Sequence, residues 1–408
     1  MKTVQANTPA LVEDLAILGA PPAFAEPLHV GRPNIGDRRR FMALIEDMLD
    51  RHWLTNGGPY VARFESRVAE FLGVRHAIAV CNGTVALEIA IRALELGGEV
   101  IVPSFTFIAT AHSLQWQEIT PVFADIDPVT HTIDPERIEE LITPRTTGIV
   151  GVHLWGHPCQ CEKLADIARR RGLRLMFDAS HAFGCSRAGT MVGNFGEAEV
   201  FSFHATKFMN CLEGGAVVTN NDALARKIRL MKNFGFSGYD NVVYIGTNGK
   251  MNEASAAMGL TNLDSLNAFI SVNRRNDLCY REGLADLPGV RLIVHDPADT
   301  PNYQYVVAEI DDREAPLGRD ELLAALHAEN VLARRYFWPG CHRMEPYRSY
   351  FPHAGLMLPI TEEVARRVLV LPTGMTVGVE QIEKICSIIR AALGQAEAVR
   401  AALRHAAA

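Results

Sequence analysis

Residues 175–215 read LMFDASHAFGCSRAGTMVGNFGEAEVFSFHATKFMNCLEGG. The apolar run from Leu173 to Phe177 leads to Asp178. A Gly-rich loop follows, and a second apolar run, Val200 to Phe203, ends near Lys207. Two strand-like segments therefore deliver one carboxylate and one amine at their C-terminal ends, the edge of an open α/β sheet where ligands bind. A neighbouring carboxylate and lysine usually make an ion pair. Here the flanking text favours a ligand: Lys207 follows Ser202-Phe203-His204-Ala205-Thr206 and precedes Glu213-Gly214-Gly215, a small-residue turn that lets a ligand approach the backbone.

Pyridoxal phosphate (PLP) needs this set of groups. A lysine amine condenses with its aldehyde, and a carboxylate keeps its pyridine nitrogen protonated so that the ring acts as an electron sink. A hydroxyl and free backbone N–H groups hold its phosphate. Upstream, His76 to Cys81 reads as a buried strand, followed by Asn82-Gly83-Thr84 and a helix from about Val85 to Leu96. Strand, Gly-containing turn and helix make an anion-binding geometry, because the first helical turn has N–H groups without helical partners. Thr84 alone would also serve as an ordinary helix start; with Lys207 downstream, Gly83 and Thr84 become the expected phosphate cup. No Gly-Lys-Ser/Thr follows and no G-x-G-x-x-G is present, which excludes a P-loop and gives a dinucleotide site no support.

Further strands are expected at Glu99 to Pro103, Pro121 to Asp127 and Gly148 to Leu154, with helices at Asp134 to Leu141 and Glu162 to Arg171. Repeated strand–helix units predict a mostly parallel sheet covered on both faces. Helices are also expected at Ala223 to Met231, Ala254 to Leu266, Asn267 to Leu284, Arg319 to Glu329 and Glu380 to about Leu393. Strands are expected at Val290 to Val294, Tyr303 to Ile310 and Val331 to Tyr336. Phe234 to Asn248 lacks period and reads as a loop. His153 reads as a structural histidine.

The two blocks Asp178-Ala179-Ser180-His181-Ala182-Phe183-Gly184 and Phe201-Ser202-Phe203-His204-Ala205-Thr206-Lys207 resemble the signature blocks of the DegT-type (StrS-like) sugar-nucleotide aminotransferases, from about Pro27 to about Leu393. The resemblance implies an α/β chain with the PLP-dependent transferase fold of type I. That is a large domain with a mostly parallel mixed sheet flanked by helices, one antiparallel strand near Ala216 to Asn220, and a smaller C-terminal α+β domain. The expected division is 1–26 as an arm, partly disordered or packed on a neighbouring subunit, 27–275 as the PLP-binding domain and 276–408 as the small domain.

It also implies roles. Lys207 carries the cofactor and shuttles protons, and Asp178 pairs with the ring nitrogen. Ser202, Gly83 and Thr84 hold the phosphate, and His181 lies near the cofactor oxygen. Phe107, in Ser104-Phe105-Thr106-Phe107-Ile108-Ala109-Thr110, lies flat on the ring; its alternative is an ordinary core phenylalanine. Asn248, in Gly246-Thr247-Asn248-Gly249-Lys250, reaches the partner subunit's PLP phosphate across a homodimer interface. The family commonly has Arg where this chain has Lys250, which removes the planar two-pronged contact. Glutamate is the implied donor and a dTDP- or UDP-4-keto-6-deoxyhexose the acceptor. The lysine block looks closer to the 4-aminating than to the 3-aminating branch. A sugar 3-dehydratase would replace Lys207 with histidine. A PLP-binding regulatory protein would carry an added DNA-binding domain. An ordinary amino-acid aminotransferase would need a pair of arginines that the sequence does not mark.

Composition agrees. The chain has 408 residues, 48% hydrophobic and 21% charged, with net charge −7 and no basic run, so nucleic acid is not an expected partner. Eight cysteines are scattered, with only Cys159 and Cys161 close, so no metal site is expected and free thiols suit a reducing cytoplasm. Leu15 to Ala25 imitates a signal core, but Glu13 and Asp14 precede it and Pro21-Pro22 interrupts it. No run approaches the roughly 18 apolar residues of a membrane helix.

Overall fold

Seven strands between residues 76 and 219 close into one sheet: β1 (His76–Val80), β2 (Glu99–Pro103), β3 (Thr120–Ala124), β4 (Thr146–Val152), β5 (Arg174–Asp178), β6 (Ala198–Ser202) and β7 (Gly215–Thr219). Their spatial order is β1-β7-β6-β5-β4-β2-β3. Strands β6, β5, β4, β2 and β3 run parallel. Strand β7 is antiparallel to both neighbours, as the resemblance implied for this segment. This computed structural model describes residues 14–407, so the beginning of the expected arm, residues 1–13, lies outside the described residues.

Both faces of the sheet are buried, and the strands show why. Side chains alternate across a strand. Met176 and Val200 pack into one apolar cluster with the helix Gly83–Ala93. Leu175 and Phe177 face a second, with the helix Cys161–Arg171. Phe201 enters a third, with the helices Pro59–Leu72 and Glu253–Asp264. Such side chains are worth roughly 1.5–3 kcal/mol each on full burial.

The later part of the chain forms a three-stranded antiparallel sheet of β8 (Val290–Leu292), β9 (Val306–Ile310) and β10 (Val368–Leu371), with β9 central. Tyr280 of the helix Leu266–Leu284 and Ile382, Ile385, Ile388 and Ile389 of the helix Val379–Gly394 bury against it. Leu15 joins the same cluster, and Glu329 accepts the N–H groups of Ala16 and Ala23 at 2.6 and 2.7 Å. Residues 14–26 thus pack on their own chain.

Two expectations change. Val331 to Tyr336 is not the third strand of this sheet: only Val331–Leu332 is extended, and it pairs in parallel with Leu28–His29. The third strand is Val368–Leu371, whose four apolar residues lack alternation because both faces are buried. The segment Asp134 to Leu141 is two short 3-10 turns, Pro135–Arg137 and Glu139–Leu141, too short to sustain an α-helix. Asp134 still caps it, accepting from Glu136 N–H at 3.0 Å. No helix among the described residues is long and apolar enough to cross a membrane.

Candidate active site

Strands β1, β2, β4, β5 and β6 all end at one edge of the large sheet, and a cavity of about 610 Å³ opens there. Gly83, Thr84, Phe107, Asp178, His181, Ser202 and Lys207 all line it. Asn248 does not; it is exposed and bridges to Asn233 in the loop. Lys250 is engaged locally, donating to Asn233 Oδ1 at 3.0 Å and lying 4.6 Å over the Phe234 ring.

Asp178 closes β5 and is 5% exposed. Its Oδ2 accepts from Thr110 Oγ1 at 2.8 Å and its Oδ1 from Ser180 N–H at 3.0 Å. Thr106 Oγ1 supports Thr110 Oγ1 at 3.0 Å. These donors fix the carboxylate at the cavity wall.

Lys207 lies five residues beyond the end of β6 and is half-buried. Its Nζ approaches the Tyr305 hydroxyl at 3.5 Å. Loss of water around the amine pulls its pKa from 10.5 down to about 8, although Asp178 and Tyr336 act the other way. At pH 7 roughly one amine in ten is then neutral, against roughly one in three thousand at the ordinary value. Only the neutral amine attacks a carbonyl. The cofactor-free protein should therefore take up PLP faster as pH rises, levelling off above a midpoint near 8. Stopped-flow absorbance at a series of pH values measures it, and a midpoint near 10 would contradict it.

His181 is 6% exposed and lies beside the stacked pair Trp155 and Phe337, at a centroid distance of 5.8 Å from each. Its Nδ1 accepts the Trp155 N–H at 3.4 Å, which puts the proton of the neutral ring on Nε2. Burial, and then the nearby Lys207 charge, hold its pKa well below the ordinary value, so the ring stays neutral. Phe107 is 57% exposed, an apolar ring left bare at the cavity wall rather than a core phenylalanine.

The helix Gly83–Ala93 starts at the cavity. Asn82 Oδ1 takes Val85 N–H at 2.8 Å and Asn82 O takes Ala86 N–H at 3.1 Å. Among the described residues, the N–H groups of Gly83 and Thr84 have no acceptor. A Cβ on Gly83 would lie 2.8 Å from Ser202 Cβ, so only glycine brings this turn against the end of β6. The donor set fits PLP: a carboxylate, an amine of lowered pKa, a hydroxyl, two free N–H groups at a helix start and an exposed aromatic ring.

Three buried asparagines hold the loop that carries Lys207. Asn34 Nδ2 donates to Phe208 O at 3.0 Å and Asn210 Nδ2 to Asn34 O at 2.8 Å. Asn262 Nδ2 donates to Asn210 O at 2.8 Å, and its Oδ1 accepts Gly36 N–H at 2.9 Å. Asn34 Oδ1 also accepts Met375 N–H from the small domain at 3.1 Å. Asn262→Leu would strand the buried carbonyl of Asn210, at a cost of about 1–3 kcal/mol, and the half-buried N–H of Gly36. Urea unfolding should show the loss; an unchanged midpoint would refute it.

Sequence reading missed several groups of the site. Thr106, which lines the cavity, and Thr110, which bonds Asp178, stand four apart in a quoted block, a spacing that could have shown them on one face. Tyr305, Tyr336 and Phe337 come from the distant part of the chain and carry no local signal.

A model of the DegT/DnrJ/EryC1/StrS aminotransferase family matches residues 36–390. A dTDP-4-amino-4,6-dideoxy-D-glucose transaminase of Shigella dysenteriae is 38% identical over 367 residues, 90% of this chain and 99% of that protein. A GDP-perosamine synthase of Vibrio cholerae is 32% identical over 363 residues, 87% of this chain and 96% of its own. The crystal structure of DesI, solved in the presence of its TDP-sugar product, is 51% identical with a TM-score of 0.92, covering 96% of this chain and 99% of that one. The likeness thus spans the sheet, the cavity and the small domain together, and the chain belongs to the DegT/DnrJ/EryC1/StrS aminotransferase family.

Proposed function

We propose that the cavity binds PLP and that the enzyme moves an amino group from L-glutamate to the C4 ketone of a dTDP-linked 4-keto-6-deoxyhexose. The product is a 4-amino-4,6-dideoxyhexose nucleotide. The observation that carries this reading is the convergence of Lys207 and Asp178, from two neighbouring strands, on one cavity that also holds a free helix start. The dTDP group is favoured over UDP by the relatives, one a dTDP-sugar transaminase and one crystallised with a TDP-sugar product.

Bound PLP would supply an electron sink that no side chain offers. Asp178 would hold its ring nitrogen in the charged form, a charge-assisted bond of roughly 1.5–3 kcal/mol. Gly83 and Thr84 N–H, with Ser202 Oγ, would bind the phosphate. Phe107 would lie on the ring face, and His181 would donate from Nε2. Lys207 Nζ would tether the cofactor at rest, and its freed amine would take the proton from the α-carbon of glutamate and, in the second half-reaction, deliver one to the sugar carbon.

The reading includes a homodimer with shared sites. Around the loop 234–248, Tyr239 is 99% exposed and Ile245 75%, beside exposed Phe234, Val242 and Val243. Monomers rarely leave such a patch bare. Asn248 of the partner subunit would then complete the phosphate site. Eight free thiols, mostly buried, suit the cytoplasm.

Purified enzyme with glutamate and dTDP-4-keto-6-deoxyglucose should yield 2-oxoglutarate and an amino-sugar nucleotide in equal amounts by mass spectrometry. A yellow, PLP-loaded protein that aminates no keto-sugar nucleotide would refute the reaction.

A further inference from the structure

The proposed substrates are rich in anionic oxygens, yet the cavity is poor in positive charge. Among its lining residues Lys207 is the sole lysine or arginine, set against Asp178 and Glu213. A donor with two carboxylates and an acceptor with a diphosphate both need a cation at or near the wall.

Arg334 stands beside it. Its backbone is pinned in an antiparallel bridge to Val370, N–H to O at 3.0 Å and O from N–H at 2.8 Å. Its guanidinium lies 5.1 Å over the ring of Tyr336, which lines the cavity. Tyr336 in turn stacks on Phe337, another lining ring, at 5.1 Å. Burial raises the Tyr336 pKa, and the charges of Arg334 and Lys207 both act to lower it, so the phenol lies within the field of each. Arg334 is exposed and, among the described residues, has no carboxylate partner. The next residue shows the contrast: Arg335 is tied to Asp320 at 3.1 Å. An arginine held by its backbone, resting on an aromatic wall and free of acids keeps its donor fork available.

We propose that Arg334 binds the anionic oxygens of one substrate at the cavity rim, either a carboxylate of the amino donor or the diphosphate of the acceptor. This rests on the proposed reaction for its choice of ligands. Two exposed-site variants test it, Arg334→Gln and Arg334→Lys, each PLP-loaded and titrated calorimetrically with glutarate and with dTDP. For one of the two probes, Kd should rise roughly tenfold or more in the Gln variant, with part of the loss recovered by Lys, which keeps charge without the fork. A rise for glutarate assigns the donor carboxylate; a rise for dTDP assigns the diphosphate. Both Kd values within about twofold of wild type, or a wild type that binds neither probe, would overturn the proposal. Turnover by the wild type judges the reaction separately. Normal turnover with unchanged probe binding in the Gln variant sinks Arg334 alone. Absent turnover with every keto-sugar nucleotide sinks the reaction, and the titrations still decide Arg334.

Discussion

Lys207→Ala should lower amino transfer to a keto-sugar nucleotide by at least about 10⁴-fold. General acid–base catalysis alone contributes roughly 10²–10⁴, and the same side chain is also the proposed covalent tether. No neighbour can replace it. Tyr305, 3.5 Å from Nζ, has its pKa pushed up by burial and is a poor base. His181 is held neutral by burial, its pKa well below the ordinary value, and its Nδ1 is engaged by Trp155 N–H. Fold should survive, because removing a half-buried amine relieves a desolvation cost. The sign follows from the lowered pKa: the folded state is penalised below pH 8, where both states carry the proton, and the penalty vanishes as pH rises toward 10.5. Cofactor-free Lys207→Ala should thus melt no lower than wild type at pH 7, and its PLP-loaded form should lack the absorbance band of the lysine imine. Turnover within tenfold of wild type would end the assignment.

Asp178→Asn should reduce kcat about 10²-fold while leaving the fold intact. The amide keeps Oδ1 for Ser180 N–H and offers Nδ2 to Thr110 Oγ1, which can accept once its own proton turns to Thr106. Stability should change by less than about 1 kcal/mol, since each bond finds a replacement. What is lost is the negative charge opposite the ring nitrogen, worth roughly 1.5–3 kcal/mol, or about 10- to 150-fold. Paired kinetic and thermal measurements separate the two effects. A large drop in melting temperature would make Asp178 a structural residue instead.

Sequence legibility follows the range of the interactions. Strands β5 and β6 are readable because local apolar runs end in polar residues. Gly83, Asp178 and Lys207 are readable because each follows such a run, and Ser202 because it interrupts one. Thr110 is harder: its hydroxyl matters through Asp178, 68 residues away. Tyr305 and Tyr336 reach the cavity only when the small domain packs on the large one, which no local pattern encodes. Val368–Leu371 escaped because a strand buried on both faces has no period to detect. Asn248 lies outside its own chain's cavity, so the phosphate contact proposed for it requires a second copy.

The asparagine relay has a consequence for how the chain folds. Its bonds join residues 174, 176 and 341 positions apart, so the loop bearing the amine locks only after the amino-terminal segment and the last third of the polypeptide have met. Closures of that span are entropically slow. Refolding chains should therefore regain helical signal well before they regain the capacity to capture the vitamin.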